Sequence, residues 1–203
     1  MNWYISDYKT EFIRIYKSSI TREGSDKLLD WLLNKSDFFT APASTKFHSA
    51  YEGGLCEHSV KCYYRFAQNL QNEYEEVGAE SVISAESVAI IALLHDVCKT
   101  NFYKTEYRNA KNEFGEWVKV PYYTVDDQIP YGHGEKSVYM ISGFMRLTRE
   151  EAMAINWHMG GWDARVMGGS SSALSNAFYK YKNAFLFHIS DAQATYLDEE
   201  SPQ

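Results

Sequence analysis

Val88-Ala89-Ile90-Ile91-Ala92-Leu93-Leu94 runs directly into His95-Asp96. Seven apolar residues in succession leave no polar face, so a helix made of them belongs at the centre of a small protein rather than on its surface. Ser84-Ala85-Glu86-Ser87, just before the run, supplies an N-terminal cap for that helix. An imidazole and a carboxylate therefore arrive together at a buried helix end, where both need partners away from water.

The flanking sequence is mostly helical in texture. Residues 8–18 and 25–33 carry apolar side chains at helical spacing, with Gly24 punctuating the gap. From 35 to 54 the period fails, and Pro42, Ser44 and Gly53-Gly54 mark an irregular segment leading into a helix predicted over 56–75. His48 and His58 lie on either side of that boundary. Beyond Asp96, residues 102–125 are rich in aromatic and β-branched types around Asn112-Glu113-Phe114-Gly115-Glu116, which predicts a β-hairpin or flap. Helices return over 135–145 and from the capping box Thr148-Arg149-Glu150-Glu151 to about 158. A Gly- and Ser-rich loop over 160–172 then precedes one long last helix ending near 196. The expectation is an all-α fold with a small hairpin insertion, organised as a single domain over 1–203.

Composition narrows the function classes. With 203 residues and 45% hydrophobic content, the chain is long enough for one substantial core. A formal net charge of −7 argues against a broad basic surface, and so against long duplex nucleic acid, while a local basic pocket or a bound metal can still accept a phosphate. No apolar run approaches the roughly 20 residues of a membrane span, and Met1-Asn2-Trp3-Tyr4-Ile5-Ser6-Asp7 lacks the regions of a leader, so no membrane partner and a cytoplasmic location are expected. Cys56, Cys62 and Cys98 are odd in number and fit neither a disulfide framework nor a zinc ribbon. The 16 Tyr, 11 Phe and 5 Trp suit a core, an interface or a base-stacking pocket equally, and the sequence fixes no oligomeric state.

Of six histidines, four lie at or near predicted helix ends, where distant parts of a chain can converge. Imidazole with carboxylate suits manganese, iron or zinc, whereas an all-oxygen set suits magnesium or calcium. Lys99, three residues after Asp96, falls near the same face and places an ammonium where it can neutralise a phosphoryl oxygen.

Three segments taken in order, Gly53-Gly54-Leu55-Cys56-Glu57-His58-Ser59, Leu93-Leu94-His95-Asp96-Val97-Cys98-Lys99 and Ile189-Ser190-Asp191-Ala192, resemble the signatures of HD-domain metalloproteins. The resemblance covers about 48–196. It implies an HD-type helical core in which His58, His95, Asp96 and Asp191 hold a metal and Asp96 can bridge to a second. His133, in Tyr131-Gly132-His133-Gly134-Glu135, and His158, in Asn156-Trp157-His158-Met159-Gly160, stand where the dinuclear branch supplies further ligands. Two divalent ions, manganese, iron or another transition metal, are thereby implied. So is metal-dependent hydrolysis of a phosphate ester in a nucleotide or short oligonucleotide, by a phosphodiesterase or nucleotidase. Asp96 and Lys99 would be catalytic, and Lys99 and His48 would contact the small phosphorylated substrate.

Two departures limit what carries over. Cys98 stands where many members have glycine, and the Gly-Tyr-Pro element of the cyclic dinucleotide phosphodiesterase branch is absent near Tyr131-Gly132-His133, so that branch's substrate does not transfer. The same ligand set also serves di-iron oxygenases resembling myo-inositol oxygenase, and a third class would be a non-catalytic nucleotide-binding module.

Several residues have plainer readings. His48 can contact substrate, orient a ligand by bonding its far nitrogen, or lie exposed; His133 can simply cap a helix. His188, three residues before Asp191, can support it or pack in the core, and stays outside the metal set. Lys99 can be a favourable cation at a helix C-terminus. Tyr103, Tyr107, Trp117, Tyr122 and Tyr123 can pair across a hairpin or stack bases, with pairing slightly ahead. Cys98 is assigned no role.

Overall fold

A computed structural model describes residues 5–199; residues 1–4, which entered the reading of the chain's start, and 200–203 lie outside the described residues. Helices α1 (Tyr8–Ser19) and α2 (Ser25–Asn34) form where the spacing predicts them. Asp7 starts α1 by accepting the Thr10 N–H at 3.1 Å, and Phe12, Ile15 and Tyr16 on its inner face are buried. An irregular stretch follows, then α3 (Gly54–Glu73), which starts two residues earlier than predicted.

The apolar run becomes α4 (Ala85–Leu94), capped by the Ser84 hydroxyl, which accepts the Ser87 N–H at 3.1 Å. Its freedom from a polar face has a direct cause, because it separates two buried clusters. Ala89, Ile90, Leu93 and Leu94 pack with α1, α2 and the start of α3. Val88, Ile91 and Ala92 pack with Phe66 and Leu70 of α3 and with Phe187. Full burial of each large aliphatic side chain contributes about 1.5–3 kcal/mol, so α4 is where the core is most costly to disturb.

The flap is a two-stranded antiparallel hairpin of β1 (Tyr103–Lys111) and β2 (Trp117–Val125), in register from Tyr103 opposite Val125 to Lys111 opposite Trp117. The Asn112 carboxamide closes the turn by accepting the N–H groups of Phe114 and Glu116 at 3.0 and 2.9 Å. The predicted capping box is present at Thr148 and Glu151 and starts α6 (Arg149–Trp157), while α5 (His133–Ser142) begins at the histidine itself. The protein is thus all-α with a small hairpin, and among the described residues no helix is long and apolar enough to cross a membrane.

The C-terminal third departs from expectation. The predicted loop over 160–172 contains the short α7 (Ala164–Met167), and the single last helix is two, α8 (Ser171–Lys180) and α9 (Lys182–Gln193), followed by a π-helical turn at Ala194–Asp198. Backbone angles at Tyr181 (φ −127°, ψ 86°) leave the helical region. The break turns Asn183 inward, where it is 2% exposed, accepts from the Tyr74 hydroxyl at 3.1 Å and donates to Glu150 at 2.8 Å. Apolar spacing continues across the break, so periodicity alone does not reveal it.

Candidate metal centre

Helix ends position the side chains. The last carbonyls of a helix have no intrahelical partner. At the end of α4, His95 Nδ1 donates to the Ala92 carbonyl at 2.9 Å, and at the end of α6, His158 Nδ1 donates to the Ile155 carbonyl at 2.6 Å. A carbonyl can only accept, so each ring carries its proton on Nδ1 and presents a bare Nε2 lone pair. His58 sits on the second turn of α3, whose first turn is tucked close against the preceding loop. Gly53 there has φ +84°, and a Cβ on Gly54 would lie 2.0 Å from the Ser49 carbonyl oxygen, so only the Gly-Gly pair fits. Asp191 comes from α9 and His133 from the first residue of α5.

These five side chains converge with Asp96, the residue after His95. His58 Nε2 lies 3.1 Å from His95 Nε2 and 3.2 Å from Asp191 Oδ1. Asp96 Oδ2 is 3.5 Å from both His58 Nε2 and His95 Nε2, whereas its other oxygen, Oδ1, is 2.8 Å from His133 Nε2 and 3.4 Å from His158 Nε2. One carboxylate thus faces two groups of imidazoles, one with each oxygen. His58, His95, Asp96 and His158 are at most 1% exposed, and the centre opens at His133, whose side chain is 30% exposed.

The donor atoms fit a cation better than they fit each other. His158 Nε2 is buried and has no hydrogen-bond partner among the described residues, since its carboxylate neighbour Asp96 also only accepts. His58 has its own carboxylate at Nδ1, so its Nε2 and that of His95 meet lone pair to lone pair unless a proton or a metal ion lies between. Without an ion the proton belongs to His58. Burial opposes charge on that ring, but Cys62, Glu199 and Asp191 hold it well above the ordinary imidazole range. Burial pushes His95 down to about 3, leaving it neutral. Asp96 stays ionised against its burial because Lys99 and the surrounding imidazoles favour the carboxylate. These buried groups can hold a metal ion.

Lys99 Nζ donates to Asp96 Oδ2 at 2.6 Å, at the edge of the centre. His48 does not face the centre with the nitrogen that is bonded: its Nδ1 lies 2.7 Å from Glu199 Oε2, and Glu199 Oε1 accepts from His58 Nδ1 at 2.6 Å. Of its plainer readings, the one in which it helps orient a ligand therefore describes its contacts. Glu199 is the residue that sequence reasoning missed. Its side chain is fully buried and it also accepts from the Ser49 hydroxyl at 2.7 Å. A carboxylate on the far nitrogen of a ligand histidine fixes its orientation and raises its basicity. Asp198-Glu199-Glu200 reads in sequence as an ordinary acidic run, and only the π-helical turn brings Asp198 and Glu199 back onto α3, where Arg65 pairs with Asp198.

His188 donates from Nδ1 to the His158 carbonyl at 2.6 Å and stacks on Phe178, so it braces the backbone beside the centre and supplies no ligand atom to it. Two thiols also adjoin the site. Cys62 Sγ lies 3.5 Å from His58 Nε2 and 3.8 Å from Nδ1, and Cys98 Sγ lies 3.5 and 3.7 Å from the two nitrogens of His133. Near-equal distances to both ring nitrogens put each sulfur alongside the ring; Cys62 Sγ also lies 3.8 Å from Asp191 Oδ1, and both thiols belong to groups of side chains that can hold a metal ion.

No family model, no curated protein and no solved structure matches this chain.

Proposed function

We propose that the protein is a metal-dependent phosphohydrolase of the HD type, acting on a phosphate ester of a nucleotide or short oligonucleotide, with two divalent ions bridged by Asp96. The observation that carries the reading is the split environment of Asp96, with Oδ2 toward His58 and His95 and Oδ1 toward His133 and His158. Asp191 completes the first group. Ions held by these residues would supply an activated water and a clamp for the oxygens of a phosphate undergoing in-line displacement.

The chain's own residues provide the rest. Glu199 and the Ala92 and Ile155 carbonyls hold three imidazoles with their lone pairs inward, so little reorganisation is needed on loading. Lys99 is a buried-edge cation whose present anion is Asp96. Once Asp96 is shared with metal ions, the ammonium is free to favour a phosphoryl oxygen, which supports its assignment to substrate binding and charge stabilisation. His133, the most open imidazole of the set, marks the side from which substrate would enter.

The test is hydrolysis of nucleotides and phosphodiesters by manganese-loaded protein. Asp96→Ala should abolish turnover, and Lys99→Ala should lower kcat by about 10²–10³-fold, the usual cost of removing one preorganised charge-stabilising donor. Full activity in Asp96→Ala would contradict the mechanism.

A further inference from the structure

The hairpin has two unlike faces. In an antiparallel pair, residues directly opposite share a face. One face carries Glu106, which accepts from the Tyr122 hydroxyl at 3.0 Å and pairs with Lys104, and Arg108, whose guanidinium lies 5.5 Å over the Tyr122 ring. The register puts no Asp or Glu on the other face. In a chain of net charge −7, strands that give one face two lysines and no acid are a local exception, with Glu52 of the preceding loop the acid that adjoins its Tyr123 row.

That second face is ordered along the hairpin. Successive rows are two residues apart, about 6.8 Å. From the base outward they present Tyr103, then Tyr123, then Tyr107, then Lys119, then Trp117 with Lys111. Tyr103 and Tyr123 have ring centroids 6.5 Å apart, and Lys111 Nζ lies 5.4 Å over the Trp117 ring, which places these side chains together on this face. Cross-strand pairing covers the outer aromatics only in part, since Trp117 meets its partner Lys111 but keeps most of its surface exposed. Tyr107 stands opposite Pro121 and is 66% exposed, and Trp117 is 69% exposed. The track begins near the candidate centre, because Tyr103 follows Lys99 by four residues and its hydroxyl donates to the Ala43 carbonyl at 3.3 Å, on the loop that carries His48.

From the acid-free register, the exposed aromatic rows and their continuity with the centre, we infer that this face is a binding arm for single-stranded nucleic acid, feeding its phosphodiester chain toward Lys99 and Asp96. Aromatic platforms stack bases without regard to sequence, and interspersed lysines meet the backbone. A duplex keeps its bases inside and would use only the lysines. The arm deepens the phosphohydrolase reading by naming an oligomeric single strand as the substrate class, but binding on the arm does not itself require turnover.

The experiment is fluorescence anisotropy of labelled oligothymidylate and oligouridylate of increasing length, with the full chain in EDTA so that no strand is cleaved. Affinity should rise with length until the arm is covered, and fall as salt is added. Tyr107→Ala combined with Trp117→Ala should weaken binding by about tenfold or more, and Lys111→Glu combined with Lys119→Glu should do the same while flattening the salt dependence. Both variants change exposed positions and leave the core intact. The two probes separate DNA from RNA as the preferred strand. Oligomers bound no better than a dinucleotide, or bound equally well by both variants, would overturn the arm. Oligomer binding lost in the variants, with no hydrolysis of any ester by loaded protein, would retain the arm and remove the hydrolase.

Discussion

Removing Glu199 should weaken one metal ion and spare the other. Its Oε1 takes the His58 Nδ1 proton at 2.6 Å, and its Oε2 takes those of His48 and Ser49, both at 2.7 Å. Only the first bond touches a proposed ligand. Loss of the partner of a ligand histidine typically lowers metal affinity by about 10–100-fold, or about 1.4–2.8 kcal/mol. Glu199→Ala should therefore cost that much at the ion shared by His58, His95 and Asp191, and nearly nothing at the ion near His133 and His158. Glu199→Gln retains an acceptor but loses the charge assistance, so its loss should be smaller, about threefold to tenfold. Calorimetric titration of manganese into ion-free protein reads both ions. His48→Ala provides the contrast, because it removes one of the two donors to the other oxygen of Glu199, leaving Ser49, and should lower the melting temperature with little change in metal affinity. If Glu199→Ala bound both ions like the parent protein, or lost both equally, the assignment of Glu199 to His58 would be refuted.

Away from the centre, Glu151 is fully buried and accepts from Arg22 at 2.6 and 2.9 Å, from the Ser87 hydroxyl at 2.7 Å and from the Thr148 N–H at 2.7 Å. Removing one partner of such a pair costs about 3–5 kcal/mol, and Glu151→Ala should fall near the lower end because Arg22 keeps Glu86, as read by urea denaturation. Burial opposes ionisation of Glu151, but Arg22 holds its carboxyl below the ordinary value of 4.5. Its contribution is thus present above that value and lost as pH falls through it toward the folded pKa, and Glu151→Gln should flatten the acid limb of the stability curve. At Gly134 a Cβ would lie 2.3 Å from the Asn156 carbonyl oxygen and 2.7 Å from that of Ile155. Gly134→Ala should push α5 off α6, separate His133 from His158 and reduce the metal content, at a cost of about 1–3 kcal/mol in stability.

The centre of the fold was legible because α4 carries its burial in its own composition. His95 and Asp96 could be placed with it, since no surface helix would end in them unpartnered. His58, His133, His158 and Asp191 lie in helix-end or motif contexts whose order could be read, and the structure gathers the three histidines around the Asp96 carboxylate and sets Asp191 against His58. What the sequence hid depends on long-range return of the chain. Glu199 has no local signature, because its meaning comes from a turn that folds it back onto a helix begun at Gly54. The break at Tyr181 is set by the polar partners of Asn183, which periodicity does not register. The hairpin's two faces were written in the alternation of Tyr, Lys and Trp, but they emerge only once the strand register is fixed.

Metal stoichiometry tests the central claim most directly. Elemental analysis of protein purified without a chelating tag should find two transition-metal ions per chain, falling to one in the His133→Ala, His158→Ala double variant, because only one side of Asp96 would then keep its imidazoles. One ion in both proteins would contradict a centre bridged by Asp96.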